Sequence, residues 1–107
     1  MTASAVLSER MDGARVVADL LGNHAIETGE ARRLIRAMCP HLDSLQLDRF
    51  TDELERHALA LDAALEKVDD AVTQAEEDRL RVIADGYRGD LDECIGRSRV
   101  LPEAVHA

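Results

Sequence analysis

The chain has no Trp, and Phe50 and Tyr87 are its only aromatic residues. Aromatics carry the largest burial per residue, so a core built from Leu, Ala and Val is thin. A single domain of 107 residues buries only about 65% of its unfolded surface. Oligomerisation or a partner is therefore expected to complete it. Cysteine is nearly absent too. Cys39 and Cys94 are too few for a disulfide framework, and the opening residues Met1 to Ala5 have neither the basic start nor the apolar stretch of a secretory leader. A cytoplasmic protein is expected. No uninterrupted apolar run approaches the roughly 20 residues of a membrane span.

Motifs that carry chemistry are also missing. There is no GxGxxG, no Gly-rich phosphate loop and no Gly-flanked serine elbow. Cys39 falls at the negative end of a helix dipole, and Asp92 and Glu93 precede Cys94, so neither thiol is placed to act as a nucleophile. Cys39 and His41 are close in sequence, but a soft metal needs three or four ligands. His57 follows Leu54 at spacing three, which fails the Glu-x-x-His pattern of di-iron helices. No catalytic residue, cofactor or metal site is expected, and the chain is not read as an enzyme.

Positive charge is scarce. Thirteen Lys and Arg face 22 Asp and Glu, for a net charge of −9. Residues 1–42 are neutral, so the whole excess lies in residues 43–107. Such a chain is repelled by phosphate backbones and anionic membranes and attracted to basic protein surfaces. Arg32, Arg33 and Arg36 form one small basic strip on a predicted helix. The segment from Gly22 to Thr28 is longer than the turn of a helix-turn-helix, so direct nucleic-acid binding is not expected. Lys67 is the only lysine among many Arg, Ala, Leu, Asp and Val, a usage typical of GC-rich bacterial genomes.

Periodicity is what the chain has in abundance. Apolar residues of a first helix, Ser4 to Leu21, cover half its circumference, with Val6 and Leu7 in the arc. Gly22-Asn23 supplies a left-handed stop. Thr28 is placed to cap a second helix, Gly29 to Met38, which Pro40 ends. Asp43 with Gln46 forms a capping box, and Leu42 with Leu47 a hydrophobic staple, at the start of a third. From Pro40 to Gly86 there is neither Gly nor Pro, and Leu47, Phe50, Leu54, Ala58, Leu61, Leu65, Val68, Val72 and Ala75 form one stripe. Asp69-Asp70 and the Thr73…Glu76 box mark one place where the helix could break. With no Gly or Pro there, a continuous helix over about 43–84 is favoured. Asp85-Gly86 and Arg88-Gly89 loosen the chain before a short last helix from Asp90 to Ile95.

The expected fold is all-α, with three to four helices built on one long amphipathic helix. Residues 1–96 form one domain and 97–107 a tail that frays or docks through Val100 and Leu101. A helix of about 40 residues runs roughly 60 Å, and two short helices cannot cover its stripe, so a homodimer is expected. Leu54, Leu61, Leu65, Val68, Val72, Val82 and Ile83 are the candidate dimer or partner interface. Val16, Val17, Leu20 and Leu21 are the candidate partner surface on the first helix. The expected function is regulation by protein–protein contact: a bacterial inhibitor or adaptor, anti-activator-like, that occludes a partner such as a transcription regulator. The alternatives are an assembly subunit of a larger complex and an acidic mimic of nucleic acid.

Overall fold

A computed structural model describes residues 3–97. It is all-helical, with four helices: α1 (Ala3–Gly22), α2 (Thr28–Met38), α3 (Ser44–Asp69) and α4 (Gln74–Arg97). The side chains of Val6 and Leu7, and the tail beyond residue 97 with its expected docking of Val100 and Leu101, lie outside the described residues.

The start of α3 follows its local chemistry. Asp43 Oδ1 accepts from the Gln46 N–H at 2.8 Å, and Gln46 Oε1 accepts from the Asp43 N–H at 3.1 Å. Leu42 and Leu47 on either side are both buried, as a staple requires. The α1 stop is a correction. Gly22 is still helical, and the left-handed residue is His24, with φ 61°. His24 N–H donates to the Leu21 carbonyl and Ala25 N–H to the Leu20 carbonyl, the Schellman pattern. Gly22 serves packing instead, since a Cβ there would sit 3.1 Å from the Ala58 carbonyl oxygen. Thr28 does not cap α2 either. Glu27 holds that position without a side-chain hydrogen bond, and Thr28 Oγ1 donates to Glu55 Oε2 at 2.7 Å, tying α2 to α3.

The long continuous helix is also corrected. The chain leaves helical geometry after Asp69, turns through residues 70–73, and returns as α4 packed along α3. Thr73 Oγ1 accepts from the Glu76 N–H at 3.2 Å, so the hydroxyl anticipated as a cap is used. A straight rod would leave the stripe beyond Leu61 in water. Folding back buries Ala64 and Val68 against Ala84, with Leu80 beside them. Gly86 and Gly89, expected to loosen the chain, lie inside α4. Each costs about 1 kcal/mol relative to Ala. Leu91, Cys94 and Ile95 are buried beyond them, and burying a single Leu or Ile contributes about 1.5–3 kcal/mol, so packing outweighs propensity.

The main core draws residues from all four helices. Ala14, Val17 and Leu21 of α1, Ile35 of α2, Leu47, Phe50 and Leu54 of α3, and Leu91 and Ile95 of α4 belong to one cluster. Exposed ion pairs trim its edges, Arg15 with Asp92 at 3.4 Å and Arg32 with Asp48 at 2.6 Å. The distal halves of α3 and α4, joined by the turn, form an arm with the smaller second cluster. The molecule measures 52 × 27 × 20 Å, with a radius of gyration of 15.3 Å.

Candidate interaction surface

The apolar residues proposed as an interface divide into two sets. Leu54, Leu61 and Val68 face the interior of the chain, as do Val17 and Leu21, and none is available to a partner in the folded state. Leu20 is half-buried. This corrects the expectation for those residues, because the returning α4 and the base helices cover most of the α3 stripe. Exposed are Val16 (57%), Leu65 (36%), Val72 (89%), Val82 (71%) and Ile83 (49%). Tyr87, also exposed, escaped the sequence reading. Its signal was available: it lies one turn beyond Ile83 on a helix face, and aromatics are enriched at interfaces.

Leu65, Val72, Val82, Ile83 and Tyr87 all lie on the arm or at its junction with the base. Isolated exposed apolar residues are ordinary, but a concentration on one projecting element is not. A cleft of about 220 Å³ runs beside α4, lined by Ala60, Ala63, Ala64, Lys67, Leu80, Ile83 and Tyr87. On the arm's other flank Leu65 joins Ala18, Gly22, Ala58 and Asp62 around a cleft of about 240 Å³. A wider cleft, about 530 Å³ beside the α1–α2 loop, has Glu27, Thr28 and Glu55 in its wall.

Cys39 is buried, and loss of solvation pushes its thiol above its ordinary value of 9.0, against a weaker opposite pull from Arg10. The thiolate needed for nucleophilic chemistry is disfavoured there by burial. Cys94 is buried with its Sγ 3.9 Å from Glu53 Oε2. Among the described residues, no three His, Cys, Asp or Glu side chains converge as a metal site would require. Arg32 and Arg36 of the basic strip are turned to intrachain partners, Asp48 and the Leu42 carbonyl. On the arm, Arg81 donates to Glu77 at 2.6 Å, which raises its already high pKa further. Among the described residues, no helix is long and apolar enough to cross a membrane.

No known protein family matches this chain, and neither a curated protein nor a solved structure is detectably similar to it.

Proposed function

We propose that this is a non-enzymatic regulatory protein that acts by protein–protein contact and works as a homodimer. In this reading it is an inhibitor or adaptor, anti-activator-like, that occludes an apolar surface of a partner such as a transcription regulator. The observation that carries the proposal is the projecting α3–α4 arm, with Val72 and Val82 almost bare at and near its tip. An arm of two amphipathic helices with apolar flanks suits helix-in-groove recognition. The net charge of −9 favours a basic partner and speeds encounter with it.

A second reading, an acidic mimic of nucleic acid, draws on the exposed Asp69, Asp70 and Asp78 around the same tip. Salt separates the two. Phosphate-like mimicry weakens steeply with ionic strength, whereas apolar occlusion does not. The test is capture of host proteins on the tagged chain, eluted at low and then high salt, beside a Val72→Asp/Val82→Asp variant that melts like the parent. A stoichiometric partner held through high salt by the parent and absent from the variant supports occlusion. A partner released at low salt by both supports the mimic, and no stoichiometric partner overturns both.

A further inference from the structure

Four residues on the outer flank of α4 are spaced +4, +3, +4: Arg79, Ile83, Gly86 and Asp90. At that spacing they lie on one side of the helix, and all four are exposed. The order is cation, large apolar side chain, empty position, anion. Nothing lies within 4 Å of where a Cβ on Gly86 would be, so no intrachain packing explains a glycine in that part of the helix. Arg79 and Asp90 have no ion-pair partner among the described residues.

We infer that this flank is the surface on which a second copy of the chain docks, α4 against α4, antiparallel about a twofold axis level with the junction of Ala84 and Asp85. The inference rests on the homodimer reading above. An isologous contact requires a surface that complements itself. Turned end for end, the order of these four residues becomes anion, empty position, large side chain, cation. Each Arg79 then meets the Asp90 of the other copy, and each Ile83 enters the space left by the other Gly86. A different helical partner has no reason to match both relations at once. Glu76 and Glu93, the next positions outward, oppose one another with like charge, so the matched segment is limited to about three turns. The neighbouring cleft widens the contact through Ala60, Ala63 and Tyr87. The arm tip at Val72 stays clear for the regulated partner.

The test is sedimentation of the full chain over a wide concentration range. The parent is expected at twice 11.8 kDa. Arg79→Asp and Asp90→Arg should each weaken the dimer at least about tenfold, because each places like charges opposite one another. The double variant, in which the order is reversed but self-complementary again, should recover most of the loss. Gly86→Leu should yield a monomer of undiminished helicity, since Leu is the better helix former. A dimeric parent whose single variants match it overturns this surface and leaves the homodimer standing. Weakened single variants without recovery in the double variant overturn the antiparallel pairing. A parent that is monomeric throughout overturns this inference and the homodimer reading together, while partner capture remains a separate readout.

Discussion

At the scale of the residue, the conformation of His24 is the clearest departure from what its side chain prefers. Its φ of 61° puts a Cβ-bearing residue where glycine is at ease. The cost is accepted because the turn satisfies the Leu20 and Leu21 carbonyls. His24→Gly should therefore raise stability by about 0.5–1 kcal/mol, read as a melting temperature higher by a few degrees. A lower melting temperature would mean that the imidazole contributes more than its strain costs. The position was hard to read from sequence because Gly22 stands two residues earlier and is the expected stop. Gly22 is instead used for the close approach of α1 to the Ala58 carbonyl, a long-range demand that no local pattern records.

At the scale of the element, what was legible depended on how local its determinants are. The start of α3 is specified by Leu42, Asp43, Gln46 and Leu47 alone, and all four act as their spacing implies. Asp43→Ala should cost about 1 kcal/mol, visible as a lower urea midpoint with an unchanged slope. The break after α3 is written less plainly. Asp69, Asp70 and Thr73 permit it, but its gain comes from packing Ala64 and Val68 against Ala84 and Leu80, a contact between two helices that no local pattern at the turn records. The same asymmetry explains Gly86 and Gly89, whose local preference is overruled by Leu91 and Ile95. Periodicity located the apolar stripe of α3 correctly but could not say what the stripe meets. Leu54 and Leu61 meet their own chain, and Leu65 remains partly open.

At the scale of the whole molecule, the two clusters divide the structure into a firm base and a lighter arm. The base cluster joins all four helices, whereas the arm is held by Ala64, Val68, Ala84 and Leu80. Two of these are alanines, which contribute little burial each. Amides in the distal parts of α3 and α4 should therefore exchange with solvent through a partial opening, faster than those between Leu47 and Ala58. Hydrogen exchange measured by mass spectrometry would check this, and uniform protection along α3 would contradict it. The seating of α4 in the base has a consequence for synthesis. Leu91 and Ile95 close the same core as Ala14 and Val17, and Arg15 reaches Asp92 across 77 positions of sequence. While α4 is still inside the ribosome, α1 to α3 have emerged with one side of their shared core bare. The base can close only after α4 emerges, so the nascent chain passes through a stage in which it is open to chaperones and to premature association with its neighbours on the same message.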